Sequence, residues 1–252
     1  MKKLIIYCLS GLLLLVVSCG ETPTEDNAID VNEKGITLIN SGKYEEALQA
    51  FLKAVKNPAL TKKSKGTIYR NIAITYNHLE KSDSAIHFST LAAKCFKKNS
   101  YDYQVNMAGI DLHKGQTQKA LTKLLKASAM NPEDLSVNNT LGLIYLGDYG
   151  DEFADPEKAL PYNKKADAIT SNRITEDILG RNYYDLENYE TAEMYYEKIH
   201  TQYPEILSYT LSTGMIKYKL KKNEDAEILF KQVIAKDSSY RETIETFKEN
   251  NR

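Results

Sequence analysis

The stretch LGRNYYDLENYETAEMYYEKIHTQYP, residues 179–204, decides the fold of this chain. It begins with Leu179 and Gly180, reaches Ala192 twelve positions after that glycine, and places Tyr196 four positions further on. Apolar residues recur three and four positions apart, which is the spacing of an amphipathic helix. Small residues on facing surfaces let two antiparallel helices approach closely, while a neighbouring aromatic side chain fills the groove beside them. The stretch therefore predicts a tightly packed helix pair.

The same arrangement of small residues returns along the whole chain at spacings of 33 to 39 residues. The first alanine of each unit is, in order, Ala47, Ala85, Ala120, Ala159, Ala192 and Ala226. A glycine or alanine lies twelve positions upstream in every unit, once a five-residue insertion is allowed for in unit four. These upstream residues are Gly35, Ala73, Ala108, Gly142, Gly180 and Gly214. A period of this length in a helical sequence indicates stacked repeats.

The repeated pattern resembles the tetratricopeptide repeat (TPR), whose signature is a Leu-Gly pair, a Tyr three residues later, then Ala, an aromatic residue, Ala and Pro. The resemblance covers about residues 28–238 and implies an all-α, right-handed TPR-like solenoid of about six helix-turn-helix repeats. One helix pair cannot bury its own apolar face, so the units must stack and the last face needs a cover. Tyr240, Ile244 and Phe247 share one stripe of residues 239–247, which predicts a C-terminal cap helix.

Several units depart from the repeated pattern. Unit two has Glu80 where a turn glycine is usual, and Ser89 where the aromatic residue belongs, with Phe88 one place early. Unit three has Asp111, and unit six has Lys217, in place of the Tyr of the signature. We expect these helices to be displaced locally, without a change of fold.

The N-terminal residues resemble the signal peptide of a bacterial lipoprotein. After two lysines, residues 4–17 form a mostly apolar stretch that is too short to span a bilayer comfortably as a helix. It runs into Val-Val-Ser-Cys at positions 16–19, which is similar to a lipobox. The resemblance implies that residues 1–18 are cleaved and that Cys19 carries acyl chains such as palmitate. An ordinary secretory signal with a chance cysteine is the alternative.

The mature chain then begins with a polar stretch. Residues 19–27 predict a lipidated cysteine followed by a flexible tether, and residues 28–252 predict the TPR domain. Two or more acyl chains hold a protein stably on a membrane. Gly20, rather than an aspartate, follows the lipidated residue, which favours the outer membrane in enterobacterial sorting. We therefore expect an exported protein that is lipid-anchored at the outer membrane and faces the periplasm or the cell surface.

Composition excludes several classes of function. Among 252 residues, 33 positive and 34 negative side chains nearly cancel, so we expect no nucleic-acid binding and no acidic disordered tail. Of the three cysteines, Cys8 leaves with the signal and Cys19 carries lipid, so Cys95 can form no intramolecular disulfide. Cys95 lies on an apolar helix face, where we expect a buried, unreactive thiol.

No arrangement of residues in the sequence predicts catalysis, a metal site or a cofactor. The chain contains no HExxH, P-loop or GxSxG motif, and none of its four histidines has a metal-ligand partner at i+4. The acidic insertion of residues 147–155 does not follow the ligand order of an EF-hand loop, so a solvated turn is favoured over a calcium site. A basic run at Lys56, Lys62, Lys63 and Lys65 predicts a solvated loop, with lipid headgroup contact as the alternative.

The first helix of each unit lines the concave face of a TPR array, and the resemblance implies that a ligand is bound there. In this sequence the facing positions carry apolar side chains interleaved with Arg and Asn. They are Asn32, Ile36, Arg70, Ile74, Asn77, Asn139, Leu143, Arg181, Tyr184, Met215 and Tyr218. Such a surface suits a peptide segment or a helix of another envelope protein.

These features predict a membrane-anchored, non-enzymatic TPR lipoprotein that acts as an interaction scaffold or assembly factor at the bacterial cell envelope. An adaptor for peptidoglycan enzymes is an alternative within the same class. From a different class, the alternative is an enzyme or ligand-sensing envelope protein with a pocket that the sequence does not show. A compact pocket with clustered His or carboxylate side chains favours the second class, and an open trough favours the scaffold.

Overall fold

The computed structural model describes residues 22–251, which fold into thirteen α-helices and one short 3-10 helix, with no strand in that range. In chain order the helices are α1 (Glu25–Asn40), α2 (Tyr44–Ala54), α3 (Lys62–His78), α4 (Ser82–Cys95), α5 (Tyr101–His113), α6 (Thr117–Met130), α7 (Leu135–Tyr145), α8 (Pro156–Ile169), α9 (Arg173–Asp185), α10 (Tyr189–Gln202), α11 (Leu207–Lys219), α12 (Asn223–Lys236) and α13 (Tyr240–Asn250). The 3-10 helix, Asp151–Phe153, lies in the insertion between α7 and α8. No helix within the described range is long and apolar enough to cross a membrane.

The helices pair in chain order to form six units, from α1–α2 to α11–α12, and α13 covers the last unit. Each helix contacts the next, and first helices of neighbouring units also touch, as α1 touches α3 and α7 touches α9. The first helices therefore lie side by side on one face of the stack. Ile244 of α13 is buried in the same cluster as Phe230 of α12. The prediction of an all-α TPR-like solenoid of six repeats with a cap helix is confirmed.

In units one and six, an aromatic ring of the second helix packs against a glycine of the first helix. The ring of Phe51 in α2 is fully buried, and a Cβ added at Gly35 in α1 would come within 2.5 Å of the Cε1 of Phe51. In unit six, a Cβ added at Gly214 would lie 2.8 Å from the Cε1 of Phe230. Because interiors are packed without spare room, no side chain fits between helix and ring here. Glycine at these two positions permits the close approach of the helices.

Units two, three and four carry smaller residues at the ring position, namely Ser89, Leu124 and Asn163. In unit two the aromatic residue stands one position earlier, and Phe88 packs against the ring of Tyr76 with a centroid distance of 5.5 Å. At this position, units two, three and four therefore place no aromatic ring between their two helices.

In units three and six, a charged residue that forms an ion pair occupies the position of the signature tyrosine. Asp111 of α5 pairs with Lys123 of α6, and Lys217 of α11 lies 3.0 Å from a carboxylate oxygen of Glu193 in α10. Lys222 pairs with the other carboxylate oxygen of Glu193 at 2.6 Å. Both units keep the same helix pairing, and the charged residue at this position forms an ion pair with a neighbouring helix.

The turn inside a unit uses one backbone conformation with or without glycine. Gly42 and Gly115 have φ angles of 71° and 66°, in the left-handed region that glycine adopts readily. Glu80 and Glu187 hold φ angles of 57° and 56° at the corresponding turns. The glutamate that replaces the turn glycine of unit two therefore keeps the same turn.

Helix α1 begins inside the stretch predicted as a flexible tether. The hydroxyl oxygen of Thr24 accepts a hydrogen bond from the N–H of Asn27 at 3.3 Å, and Glu25 and Asp26 lie in the first turn. An N-cap threonine and early acidic residues both favour a helix start. The Glu25 carboxylate also accepts hydrogen bonds from the N–H and hydroxyl of Thr61 at 3.0 and 2.8 Å. Helix α1 thus begins at residue 25, three residues before the predicted start of the TPR domain, and these contacts fix its first turn to unit two.

Cys95 is half-buried and forms no disulfide. It is the last residue of α4. The expectation of a buried thiol is corrected to a half-buried one.

Replacing Gly180 with Leu should force α9 and α10 apart. A Cβ at this position would lie 3.0 Å from the ring of Tyr196 and 3.1 Å from the Cβ of Tyr195. We expect the overpacking to lower the free energy of unfolding by about 1–3 kcal/mol, measured by chemical denaturation. Gly109→Ala is the matched control, because no atom lies within 4 Å of a Cβ at that helical position. Equal stability of the two variants would contradict the close approach in unit five.

The stability of units five and six should decrease in acid through Glu193. Burial raises the pKa of this carboxyl, but hydrogen bonds and charge from Lys222 and Lys217 outweigh burial and hold the pKa below its usual value of 4.5. A pKa that is lowered by folding contributes stability above the usual pKa and loses that stability as the pH falls. We expect Glu193→Gln to lose less unfolding free energy than the wild type between about pH 6 and about pH 3. The exposed Glu190 provides the control, since Glu190→Gln should follow the wild-type profile; three identical profiles would refute this role of Glu193.

Candidate functional site

The face formed by the first helices opens into a pocket of about 390 Å³ in units two to four, here called the central pocket. Side chains from α3 to α7 and from the insertion of unit four form its wall. The residues that define it are Arg70, Ile74 and Asn77 of α3, Ser89 of α4, Val105, Asn106 and Gly109 of α5, Leu124 of α6, and Tyr149 of the insertion. The pocket therefore spans three successive repeats.

The lining of the central pocket combines apolar surface with neutral polar groups. Arg70 brings a positive charge, but its Nη1 lies 3.1 Å from Oδ1 of Asp102, so that charge is already paired. The Nδ2 of the buried Asn106 donates a hydrogen bond to the carbonyl oxygen of Ser89 at 2.6 Å, which fixes the amide. Ile74 leaves 41% of its surface exposed. The pocket can thus hold an apolar group and offer it a few neutral hydrogen-bonding partners.

A second pocket, the C-terminal pocket, opens between α9, α10 and α11 with a volume of about 260 Å³. It is lined by Arg181, Tyr184, Asp185, Tyr196, Ser212, Met215 and Ile216. The hydroxyl of Tyr196 donates a hydrogen bond to Oδ1 of Asp177 at 2.9 Å. Burial, and then the charge of Asp177, raise the pKa of Tyr196, so the phenol stays protonated and acts as a donor. Burial also raises the pKa of Asp177, against the opposing effect of the Tyr196 hydrogen bond.

The acidic insertion of unit four contacts both pockets. Tyr149 lines the central pocket, and its carbonyl oxygen accepts a hydrogen bond from the hydroxyl of Thr117 at 2.9 Å. Asp148 forms an ion pair with Arg181 of the C-terminal pocket, with 2.9 Å between Oδ1 and Nη2. The insertion is exposed at Asp148 and Tyr149, as a solvated turn should be, yet these two contacts fix it to the fold.

Six of the residues predicted to face a partner line these two pockets. Those in the central pocket are Arg70, Ile74 and Asn77. Those in the C-terminal pocket are Arg181, Tyr184 and Met215. The structure thus divides the predicted surface into two separate concavities.

Two of the residues predicted to face a partner contact neighbouring helices. Asn32 is buried, and its Oδ1 accepts a hydrogen bond from Nδ2 of Asn71 at 2.9 Å, so it joins α1 to α3. Tyr218 packs against the ring of Phe247 in the cap helix at a centroid distance of 5.7 Å. Asn32 is therefore covered by α3, whereas Tyr218 is half-buried against the cap helix, and its contact with a partner stays a prediction.

The other predicted residues lie outside both pockets. Asn139 and Leu143 of α7 are half-buried and line neither one. Ile36 lies on α1, where 40% of its surface is exposed. Cys19, the predicted lipidation site, lies outside the described residues, as does the predicted signal peptide.

Sequence reasoning missed Gly109 and Tyr149. A glycine inside a helix costs about 1 kcal/mol relative to alanine and was therefore a visible signal. The repeat pattern does not single out Gly109, because Ala108 directly before it already supplies the small residue of unit three. No local signal shows that Tyr149 returns to the wall of a pocket, since this depends on the path of the whole insertion.

Comparison with known proteins agrees with the architecture. A family model described as a tetratricopeptide repeat matches residues 178–205. The structure is similar to that of PilF from Pseudomonas aeruginosa, with a TM-score of 0.66, 18% identity, and coverage of 89% of this chain and 99% of that chain. A thermophilic TPR protein of Thermus thermophilus gives a TM-score of 0.56 at 21% identity, with coverage of 75% of this chain and 98% of that chain. No curated protein matches the sequence.

The stacked helix pairs and the exposed face of first helices define a helical repeat protein. The matching repeat and the similar structures give this fold a name: residues 178–205 form a tetratricopeptide repeat, and the stack has the fold of tetratricopeptide repeat solenoids.

Proposed function

We propose that this chain is a lipid-anchored scaffold or assembly factor at the bacterial cell envelope, which binds a segment of another protein along its first-helix face. The observation that carries the proposal is the pair of pockets, of about 390 and 260 Å³, that successive repeats open on that face. A site spread over several repeats suits an extended peptide or a helix. Apolar side chains such as Ile74 and Met215 accompany Asn77 and Arg181 in these linings, which gives anchors and polar contacts together.

The chemistry of the two linings supports binding rather than catalysis. His113 lines the central pocket without a carboxylate in the same lining, and Asp185 lines the C-terminal pocket without a histidine. Neither lining pairs a nucleophile with a general base. Within residues 22–251, no group of three or more His, Cys, Asp or Glu side chains is suited to a metal ion. These features favour a protein-binding scaffold over an enzyme or a ligand-sensing protein.

The anchor rests on the lipobox-like sequence at positions 16–19. Helix α1 begins at Glu25, so the five residues 20–24 join the lipidated cysteine to the first repeat. Five extended residues span at most about 18 Å, which would hold unit one close to the membrane surface. We place the domain at the outer membrane, facing the periplasm or the cell surface.

Cys19→Ala should release the protein from membranes. Each buried methylene of an acyl chain contributes about 0.8 kcal/mol, so loss of the acyl chains removes the binding that they supply. After fractionation of cells that express the full chain, the wild type should sediment with membranes and the variant should remain soluble. Cys95→Ala should sediment like the wild type. Sedimentation of a Cys19→Ala chain that has lost residues 1–18 would disprove lipid anchoring at this residue, since an uncleaved apolar stretch could itself hold the chain on membranes.

Partner binding should depend on the C-terminal pocket. The double variant Tyr184→Ala, Met215→Ala removes two side chains from its lining, and truncating anchors at the centre of an interface costs about 2 kcal/mol or more. In chemical crosslinking of intact envelopes, we expect at least an about tenfold loss of the adducts formed by the wild type. Met194→Ala is the control, because Met194 is 71% exposed on α10 and lines neither pocket. Undiminished adducts from the double variant would argue against binding at this face.

A further inference from the structure

Gly109 of α5 differs from the other helical glycines of the described domain. At each of the others, an added Cβ would meet a side chain of a second helix within 3.0 Å; these are Gly35, Gly66, Gly142, Gly180 and Gly214. At Gly109 no atom lies within 4 Å of that place, and the bare backbone lines the central pocket. Glycine costs a helix about 1 kcal/mol relative to alanine, and no internal contact offsets that cost here. An uncovered helical glycine is suited to the close approach of a ligand to the backbone.

In units two and three, the residue at the ring position supplies no aromatic ring to the central pocket. Phe51, Tyr196 and Phe230 fill the equivalent space in units one, five and six. Ser89 and Leu124 hold that position in units two and three, and both line the central pocket. In units one, five and six, the space between the two helices therefore holds a flat, uncharged aromatic side chain. The same kind of side chain suits the equivalent space in units two and three.

The charges around the central pocket match an uncharged occupant. Arg70 is paired with Asp102 at 3.1 Å, and the rest of the lining is apolar or neutral apart from His113. Ile74 and Tyr149 keep 41% and 38% of their surfaces exposed there. A concave, mostly apolar pocket with a few polar groups is suited to bind another molecule.

We propose that the central pocket binds a Phe or Tyr side chain of an uncharged peptide segment, whose backbone crosses the bare surface of Gly109. The ring completes unit two from outside, as Phe51 completes unit one from inside. Asn77, exposed on α3, offers a donor and an acceptor to the backbone of that peptide. This inference rests on the proposed function, and it names the chemistry of the anchor residue.

The test uses the mature chain, residues 19–252, with Cys19→Ala to remove the lipid, and two blocked peptides. One has the sequence Gly-Ser-Phe-Ser-Gly and the other has Ala in place of Phe. In a two-dimensional NMR titration, the Phe peptide should shift the amide signal of Gly109 in a saturable way. The Ala peptide should bind at least about tenfold more weakly, because it lacks the buried ring.

Two variants fill the pocket by different routes. Gly109→Leu places a side chain in space that is empty in the fold, and Ser89→Phe restores the ring from within. Each should weaken binding of the Phe peptide at least about tenfold. Thr90→Phe is the matched control, since Thr90 neighbours Ser89 on α4 but is exposed, and it should bind like the parent chain. Circular dichroism confirms that each variant is folded.

Equal binding of the two peptides, or unchanged binding by folded Gly109→Leu, overturns the proposal. Binding of N-acetylphenylalanine amide as tight as that of the Phe peptide would show a small-molecule site and also overturns it. Partner adducts that persist in envelopes of Gly109→Leu cells would retain the scaffold and reject the aromatic anchor. Peptide binding as expected, with no partner adducts in wild-type envelopes, would instead reject the scaffold function.

Discussion

The packing of an aromatic ring against a glycine of the facing helix sets how closely the helices of a unit approach. Phe51 lies on Gly35, and Phe230 lies on Gly214, at distances that admit no side chain between ring and backbone. Such a contact depends strictly on register, because one residue turns a helix by about 100° and moves its side chain to another face. The displaced Phe88 shows the effect, since its ring stacks on Tyr76 of α3, whereas Phe51 and Phe230 lie on a glycine.

The candidate site follows from local exceptions to this packing rule. Where Ser89 and Leu124 replace the ring, the first-helix face opens into the central pocket. Unit five keeps an aromatic ring at this position, and the hydroxyl group of that ring has a second role. Tyr196 fills the space beside Gly180 and also lines the C-terminal pocket, where it donates a hydrogen bond to Asp177. One position of the repeat thus decides both how tightly a unit closes and what its open face presents.

The repeat architecture could be predicted from sequence because close approach is encoded by residue size at fixed spacing. Small residues such as Gly180 and Ala192, because they recur in six units, predict the pairing of helices such as α9 with α10, and the stripe of Tyr240, Ile244 and Phe247 predicts the cap. The surroundings of several single residues could not be predicted this way.

Asn32 and Tyr218 occupy the expected helices, but whether their side chains remain open depends on α3 and α13, which are far away in sequence. The start of α1 likewise depends on Thr61 of the next unit, which binds Glu25. Spacing within one repeat carries no information about such contacts.

The middle units keep their register although they have lost the packed ring. Stability in a repeat protein is close to a sum of units and nearest-neighbour interfaces, so ring-packed units on either side can support a looser centre. Buried polar contacts add a constraint of a different kind. Asn163 donates a hydrogen bond to Asn182 at 2.9 Å across α8 and α9, and Asp111 pairs with Lys123 across α5 and α6.

Such a contact adds little to the free energy of unfolding. A shift of register that leaves a buried polar group without a hydrogen-bond partner, however, costs about 1–3 kcal/mol. We therefore infer that these contacts hold the helices in place where the rings do not, which lets the stack keep a pocket open at its centre.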